Sequence, residues 1–483
     1  MLKTPFFPAW RSRLAAFGRR VQRVRQQSLL QLEQLFGELI PAWLLSQADE
    51  GPNSRERIFT LRRTFWGFLY QALNPGCPCR EIVRQIQALF CLQNRRGVDD
   101  DNSAYCQARL RLPLETLQRI RQAVAARADQ LLPPAQALWH DLHPKVIDGT
   151  TVTLPDTPEN QRAYPQSRSQ KPGCGFPLLK IVGLFSLSSG VLLDYAKGNK
   201  HQHELALLLP LLDRFKPGDL AIADRGFSCF VLIALLLLRG VGSLFRLHQA
   251  RRLDWRKGQR LGKNDRLFLW SKPSQKPRYL PQALWQLIPS ALPVRRLRFQ
   301  LKVRGFRPES VTLVTTLIDA QAYPAQEVAE LYARRWTVEL WFRDIKTSMG
   351  MERLRCQSPQ MVQKELEIFF IAYNLVRALM AEAAALHEVP VDRISFKGTV
   401  DAARQYSIAI AQARSQKKQR ELVAELLAIL ARDAVPDRPG RVEPRAVKRR
   451  PKPFPLLNRP RRRFKDISHR NRYWKNNPRK ARS

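Results

Sequence analysis

Side chains able to hold a metal ion or a phosphate recur at helical spacing between residues 322 and 359. They are Tyr332, Arg335, Glu339 and Lys346. Pro324 suits a helix start and residues 326–347 contain no further Pro or Gly, so the sequence predicts one long helix there. Offsets of four and seven residues from Glu339 place the set on one helical face, roughly 20 Å long. One carboxylate, two cations and a phenol favour a metal and phosphate site over a core, although a solvated charged face has the same composition.

Two aspartates each follow a predicted buried strand. The apolar stretch from Lys145 leads into Asp148 and a predicted Gly-Thr-Thr turn, and the stretch Asp219–Ala223 leads into Asp224. Catalytic groups of mixed α/β sheets sit at such strand ends. A single aspartate there is more often a turn or helix-cap residue, so the position alone does not decide between the two interpretations.

Acids that share one site repel one another unless a cation neutralises them. Asp148, Asp224 and Glu339 offer only oxygen donors, which Mg²⁺ prefers and which Mn²⁺ also accepts, and they are the predicted metal ligands. Such ions activate a water or a DNA 3′-hydroxyl and stabilise the leaving oxygen in phosphoryl transfer. Beside Glu339, Arg335 and Lys346 are predicted phosphate contacts. The residues therefore predict a metal-dependent phosphoryl-transfer site.

The elements that must position these residues fall into six predicted segments. They are a helical region able to bind DNA (1–135), a first α/β part (140–248), a basic and mostly β insertion (249–316), the Glu339 helix with the helix after it (317–390), C-terminal helices (391–435) and a basic Pro-rich tail (436–483). In the first α/β part we expect a hairpin within Pro177–Gly198 and a helix Glu204–Phe215 kinked at Pro210.

Composition favours a nucleic-acid partner. The 483 residues carry 82 Lys+Arg against 41 Asp+Glu, a net charge of +41, and so basic a chain repels itself without a polyanion. The stretch from Arg438 to Arg482 has 18 basic residues, two acids and seven prolines, which cannot build a core. The sequence has no signal-peptide pattern, and the apolar run at Val231–Leu238 is too short for a bilayer. We expect a cytoplasmic protein without a membrane partner.

Other metal or nucleophile patterns are weaker. Seven cysteines without zinc spacing suit a reducing compartment, and Cys77-x-Cys79 is interpreted as coincidence. Cys174 lies in a predicted flexible loop without a histidine partner. In His201-x-His203-Glu204 a third ligand is missing, so a helix cap explains the motif better than a metal.

The spacing Tyr332-x2-Arg335-x3-Glu339-x6-Lys346 resembles, without a gap, the signature of the insertion-sequence-4 family of DDE transposases. The stretch after Asp148, ADRGF around Asp224 and YNLVRALM (Tyr373–Met380) also resemble family segments. This resemblance implies an α/β fold with an RNase H-like catalytic core, interrupted by the β-rich insertion and preceded by an all-α N-terminal domain. It carries over Asp148, Asp224 and Glu339 as the catalytic triad, and Tyr332, Arg335 and Lys346 as contacts to transposon-end DNA.

Some cut-and-paste members of this family form a DNA hairpin and hold a flipped base with aromatic residues. Trp255, Trp270, Trp285 and Trp336 are candidates here, and Trp336 is taken as a DNA-binding residue because it adjoins Arg335. No spacing selects among them, and burial in the core is the more common fate of a tryptophan.

The predicted function is Mg²⁺-dependent transposition of an insertion sequence: binding of terminal inverted repeats, strand cleavage and strand joining. A homodimer is expected because two ends must be paired, and the protein is expected at the nucleoid. Two alternatives stay open, a catalytically inactive DNA-binding regulator derived from a transposase and an RNase H-like nuclease.

Overall fold

The computed structural model describes residues 31–46, 57–92, 94–95, 97–248, 255, 258–301, 309–435 and 459–464. Residues 1–30 of the predicted helical region and most of the basic tail lie outside the described residues.

The strands form one nine-stranded sheet in the order β3-β2-β1-β4-β5-β9-β8-β7-β6. They are β1 (His143–Thr153), β2 (Leu178–Ser186), β3 (Leu192–Asn199), β4 (Asp219–Ala223), β5 (Gly242–Arg246), β6 (Gln259–Gly262), β7 (Asp265–Ser271), β8 (Ala291–Leu301) and β9 (Glu309–Thr315). Strands β1, β4 and β5 run parallel, whereas β2 pairs antiparallel with both β1 and β3. All five residues of β4 are buried, as expected for a parallel strand covered on both faces.

The helices of the described residues lie before, between and after these strands. They are α1 (Gln31–Phe36), α2 (Leu61–Leu73), α3 (Cys79–Leu92), α4 (Ser103–Arg111), α5 (Leu114–Asp129), α6 (Pro134–Ala137), α7 (Pro158–Ala163), α8 (Glu204–Leu208), α9 (Phe230–Leu237), α10 (Gln282–Leu287), α11 (Ala325–Arg334), α12 (Thr337–Arg343), α13 (Pro359–Leu386), α14 (Phe396–Gln412) and α15 (Gln416–Arg432). Side-chain caps set several starts: α2 begins after Thr60, whose hydroxyl accepts from the Arg63 N–H. Helix α14 lies in the segment 391–435, for which C-terminal helices are predicted.

The predicted turn after Asp148 is wrong. Strand β1 continues through Asp148 to Thr153, because residues 148–153 keep pairing with β2 up to Thr153↔Leu178. Its parallel partner β4 ends earlier, at the pair Ile147↔Ala223. Asp148 is thus the first residue of β1 that no longer pairs with β4. It lies inside strand β1, although it follows the end of the parallel pairing.

The predicted hairpin is confirmed, and α13 fixes its turn. Strands β2 and β3 flank the turn that contains Gly190, whose φ of +69° favours glycine. The Tyr373 hydroxyl donates to the Gly190 carbonyl at 2.6 Å, and Arg377 donates through Nε to the Ser189 carbonyl at 2.8 Å. Asn374 bonds both backbone groups of Leu192. The YNLVRALM segment of α13 therefore fixes the β2–β3 turn through hydrogen bonds to its backbone.

The predicted β-rich insertion extends the same sheet instead of forming a separate layer. Strand β9 pairs with β5 through Phe245↔Val314, and β8 and β7 continue outward. The fully buried Arg295 of β8 donates to the Asp265 carboxylate and, at 2.6 Å, to the Tyr323 carbonyl. This contact ties the insertion to the segment that leads into α11.

The single long helix predicted over residues 326–347 is wrong. The chain forms α11, then a short link at Arg335 and Trp336, then α12, and ends in a π-helical turn at Asp344–Ser348. Such π-turns widen the helix by one residue and often occur at functional sites. The helical geometry therefore changes on both sides of Glu339, between Tyr332 and Lys346.

Helix α13 is long and apolar enough, by length and composition, to cross a membrane. Its most apolar window is 89% buried inside the protein, which is typical of a core helix. One of its buried charges is paired: Glu367 accepts from Arg121 of α5 at 2.8 Å, and Arg121 also contacts Asp194 of β3 at 2.7 Å. This helix therefore joins the N-terminal helices to the sheet.

Candidate active site

Asp148 and Asp224 lie side by side at one edge of the parallel part of the sheet. The last parallel pair is Ile147↔Ala223, and each aspartate is the next residue of its strand. Both side chains are half-buried. The register therefore brings together two carboxylates that are 76 positions apart in the chain (224 minus 148).

Glu339 reaches the same place from the first turn of α12. It lines a cleft of about 300 Å³ together with Asp148. The other residues that line this cleft are Gly149, Thr150, Phe342, Arg343, Lys346 and Thr347. The cleft is open to solvent on the Glu339 side, whose side chain is 59% exposed.

The charge of Asp148 is poorly compensated. The pKa of its carboxyl is raised to about 6, mainly by burial and also by the negative charges of Glu339 and Asp224. The Gly149 N–H, which donates to Oδ1 at 2.9 Å, and the Arg335 charge lower this pKa but do not offset the burial. The charges of Glu339 and Asp224 thus act on the Asp148 carboxyl, as expected for groups at one site.

Arg335 is the buried cation of the site, with its side chain 5% exposed. Its guanidinium lies 4.0 Å from Glu339 Oε1 and 5.1 Å from the centroid of the Trp336 ring. Its Nε is buried without a hydrogen-bond partner. A buried guanidinium with an unused donor beside a carboxylate cleft suits an anionic ligand that approaches the cleft.

Tyr332 is buried beneath this cation and does not face the cleft. Burial raises the pKa of its phenol to about 12, with the Arg335 charge opposing that shift. Its hydroxyl is buried without a hydrogen-bond partner. The Arg335 guanidinium carbon lies 5.8 Å from the centroid of the Tyr332 ring, so Tyr332 is placed to support Arg335. The two residues do not form the exposed stripe that the sequence predicts.

Lys346 lies at the opposite wall of the cleft. Its ammonium donates to Thr150 Oγ1 at 3.3 Å and to the Thr151 carbonyl at 3.1 Å. Both acceptors belong to the part of β1 that follows Asp148. The widened turn at Asp344–Ser348 aims this lysine at the strand, which the predicted regular helix did not anticipate.

Of the four candidate tryptophans, Trp336 is the most available for a ligand. It is 43% exposed next to Arg335. The insertion tryptophans are half-buried and engaged: Trp255 against Phe268, Trp270 against Phe230, and Trp285 beneath the Lys272 ammonium.

The His201-x-His203-Glu204 interpretation is confirmed in its capping part. His203 Nδ1 accepts from the Leu205 N–H at 3.2 Å at the start of α8, and its ring stacks on Tyr279. Glu204 was not singled out as a site residue, yet it lies at the acid edge: a Cβ on Gly149 would stand 3.4 Å from its Oε1. Thr150 and Arg343 were also missed, and proximity to Asp148 and Glu339 in sequence was the available signal.

The donor set matches a hard divalent cation in chemistry, since all of its atoms are carboxylate oxygens. Among the described residues, no three His, Cys, Asp or Glu side chains are close enough to hold a metal ion as they stand.

Comparisons with known proteins show which proteins the chain is similar to. Residues 142–375 match the family model described as a transposase DDE domain, which spans Asp148, Asp224 and Glu339. The chain is 28% identical over 406 residues, 83% of its length, to the transposase InsG for insertion sequence element IS4 of Escherichia coli (strain K12), of which 88% is covered.

A piggyBac transposase synaptic complex with hairpin DNA, solved by cryo-EM, aligns with a TM-score of 0.41 at 10% identity, covering 83% of this chain and 85% of that one. The family match over residues 142–375 and the extended similarity to the IS4 enzyme agree with the family that the signature residues resemble.

Proposed function

We propose that this chain binds the terminal inverted repeats of an insertion sequence, cleaves DNA at the element ends and joins the freed strands to target DNA by metal-dependent phosphoryl transfer. The observation that carries the proposal is the convergence of Asp148, Asp224 and Glu339 on one edge of the sheet. The matched family consists of enzymes that act on DNA and generally use divalent metal ions, which supports a metal-binding role for these three carboxylates.

The proposed core is RNase H-like. The order β3-β2-β1-β4-β5, with β2 antiparallel and β1, β4 and β5 parallel, supports this assignment. In this proposal residues 249–316 are an insertion that extends the sheet at its β5 edge, and residues 317–390 complete the core. The helices before residue 135 and the basic tail are proposed DNA-binding regions.

Asp148 and Asp224 are the residues that would hold Mg²⁺, or Mn²⁺ in its place, with Glu339 as the third ligand. When bound, the ion supplies a neutralising charge and lowers the pKa of an attacking water or 3′-hydroxyl. Burial of Asp148 beside two other carboxylates supports an ion at this point, because the protein's own cations leave that charge incompletely offset.

The cations and Trp336 are proposed to position DNA. Arg335 has a free Nε and a neighbouring exposed indole, so it is suited to a phosphate at the element end with Trp336 stacking against a base. Lys346, at the other wall, holds β1 through residues 150 and 151 and faces the same cleft. Tyr332 supports Arg335 from below.

The partners in this proposal are double-stranded DNA, as transposon end and as target, and a second copy of the chain in a synaptic homodimer. The net charge of +41 supports a polyanionic partner and a nucleoid-associated, cytoplasmic location.

The test uses linear duplex DNA that carries the element's own end. With Mg²⁺ the wild-type chain should cleave at that end, and Glu339→Gln should abolish cleavage while leaving DNA binding intact, because the amide keeps the shape but not the charge. Glu330→Gln is the matched control, since Glu330 is an exposed acid of the preceding helix.

The outcomes separate the three candidate functions. Tight binding of the end without cleavage in Mg²⁺ or Mn²⁺ would identify an inactive regulator. Cleavage without transfer of the cut strand into a plasmid would identify a nuclease. Equal cleavage by wild type and Glu339→Gln would remove Glu339 from the site.

A further inference from the structure

A second cluster of chemically active side chains lies away from the acid cleft, between the N-terminal helices and the segment that follows α12. Its sulfur atoms belong to Cys77, Cys79, Cys106 and Cys356. All four line one cavity of about 740 Å³, together with Arg109. A cavity of this size admits a small organic molecule.

Arg109 joins two of these sulfurs. Its Nη1 donates to Cys79 Sγ at 3.0 Å and its Nη2 donates to Cys356 Sγ at 3.1 Å. The residue is only 9% exposed, and within the described chain it forms no ion pair with a carboxylate within 4.0 Å. A buried guanidinium requires negative charge nearby: the Glu365 carboxylate of the same cavity acts on Arg109 without a direct contact, and the sulfurs are the acceptors that Arg109 contacts.

Three features single out Cys79 as the sulfur that carries the negative charge. It is the first residue of α3, a 14-residue helix whose N-terminus favours an anion. Gln71 Nε2 lies 3.8 Å from its Sγ, in addition to the Arg109 donor. Cys106 lines the same cavity as Cys79.

The electrostatics agree with this geometry. The hydrogen bond from Cys106 is the largest cause that lowers the pKa of Cys79 to about 5, with Arg109 and Gln71 adding to it against the effect of burial. The same contact and burial raise the pKa of Cys106. Burial also raises the pKa of Cys77 and Cys356, and both are buried. Cys79 and Cys106 are each partly exposed.

A zinc site is the competing interpretation of clustered cysteines. No three of the described Cys, His, Asp or Glu side chains are close enough to hold a metal, and Arg109 occupies the space between two of the sulfurs. A cation in that space favours a thiolate that reacts over a thiolate that binds a metal.

We propose that Cys79 is a thiol modification site and that Cys106 is its resolving partner, so that a small disulfide entering the cavity converts the pair into an intramolecular disulfide. The Cys79 thiolate attacks one sulfur of the incoming disulfide, a mixed disulfide forms, and one thiolate leaves and takes a proton. Cys106 then loses its proton and attacks Cys79 Sγ, which expels the second thiol. The two protein sulfurs lose two electrons in all, and the incoming disulfide gains them as two thiols.

The modification would change more than the two sulfurs. Arg109 would lose the charged Cys79 acceptor on α3 but keep its contact with Cys356, which follows α12 in the chain. The disulfide would therefore alter the contact between the N-terminal helices and the segment that contains Cys356.

The experiment treats the full-length reduced protein with oxidised glutathione, blocks remaining thiols by alkylation and identifies the modified peptides by mass spectrometry. We expect a Cys79–Cys106 disulfide in the wild type and a stable glutathione adduct on Cys79 in Cys106→Ser. Cys91 is the internal control, because it is exposed on the same helix without these contacts. Cys79 should react at least about tenfold faster than Cys91.

Arg109→Gln should slow the Cys79 reaction by about tenfold if the guanidinium stabilises the thiolate. Should that variant not fold, the comparison of Cys79 with Cys91 in the wild type tests the proposal alone. Equal or slower reaction of Cys79 relative to Cys91 would overturn the proposal, and so would a Cys77–Cys79 disulfide in place of Cys79–Cys106.

Discussion

Arg335 has two properties that matter at this site: it is buried, and its Nε has no hydrogen-bond partner. Its charge lowers the pKa of Asp148, while its closest carboxylate is Glu339 at 4.0 Å. The guanidinium therefore lies between the acid pair and the exposed Trp336, where a planar fork of donors is more useful than a point charge.

Arg335→Lys should lower the rate of end cleavage at least about tenfold, which corresponds to about 1.4 kcal/mol of transition-state stabilisation. Lysine keeps the charge but loses the bidentate geometry and the contacts with both rings. Arg334→Lys is the control, because Arg334 is an exposed neighbour. Single-turnover cleavage rates and thermal unfolding would be measured together, and an unchanged rate for Arg335→Lys would contradict a phosphate contact at this position.

Asp219 offers a prediction about stability and pH. Burial alone would raise the pKa of its carboxyl, but hydrogen bonds from His143, from Lys145 at 2.6 Å and from the Lys216 N–H outweigh burial and lower it. A lowered folded-state pKa means that the stabilisation is present above the carboxyl's ordinary pKa, near 4, and is lost as the pH falls through the folded-state value.

Asp219→Asn should therefore cost about 3–5 kcal/mol at neutral pH, since it leaves Lys145 buried without a counter-charge. The loss should shrink as the solution is acidified, because the wild type then loses the same interaction. Urea unfolding at neutral and acid pH measures both. Asp213→Asn, at an exposed position, should change the free energy of unfolding by less than about 0.5 kcal/mol.

At the scale of elements, the breaks in the Glu339 segment matter more than its helical content. Trp336 and the π-turn at Asp344–Ser348 divide the segment, so that Tyr332 points inward, Glu339 outward and Lys346 toward β1. The insertion contributes to this placement through Arg295, which binds the Tyr323 carbonyl just before α11.

Arg295→Met should destabilise the protein by about 3–5 kcal/mol, because it leaves the Asp265 charge buried and unpaired. The double variant Arg295→Met/Asp265→Leu should recover a large part of this loss, since no unpaired charge then remains. Urea unfolding of the wild type, both single variants and the double variant closes the cycle. A double variant as unstable as the sum of the singles would show that the two side chains act independently.

For the whole molecule, charge is the dominant property. The stretch from Arg438 to Arg482 carries 18 of the 82 basic residues and two of the 41 acids, so its removal takes 16 units from the net charge of +41 (18 minus 2). Charges of this number act on DNA through release of counterions, independently of sequence.

Truncation after residue 437 should weaken binding of random-sequence duplex DNA at least about tenfold at about 50 mM salt, and should make log Kd less steep against log salt concentration. Fluorescence anisotropy from about 50 to 200 mM salt measures the slope. The two proteins should converge at the upper end of this range. An unchanged slope would show that the tail does not contact phosphates.

Local sequence was sufficient for many elements. The strand Asp219–Ala223 was predicted to the residue, and the β2–β3 hairpin followed from two apolar runs and the turn at residues 188–190. The four signature residues were found from spacing and family resemblance. Each of these features is set by the chain within about 20 residues of itself, where side-chain periodicity and turn chemistry act directly.

The sequence by itself determined that the chain is basic, that it carries the transposase signature, and that two aspartates follow apolar strands. Only the tertiary structure decided that Asp148 lies within a strand beside Asp224, that Arg335 is buried under Glu339, and that Cys79 meets Arg109 and Cys106. Those facts depend on strand register and on packing between segments far apart in the chain. No local pattern contains that information, because the free energy that fixes such contacts comes from burial shared across the whole core.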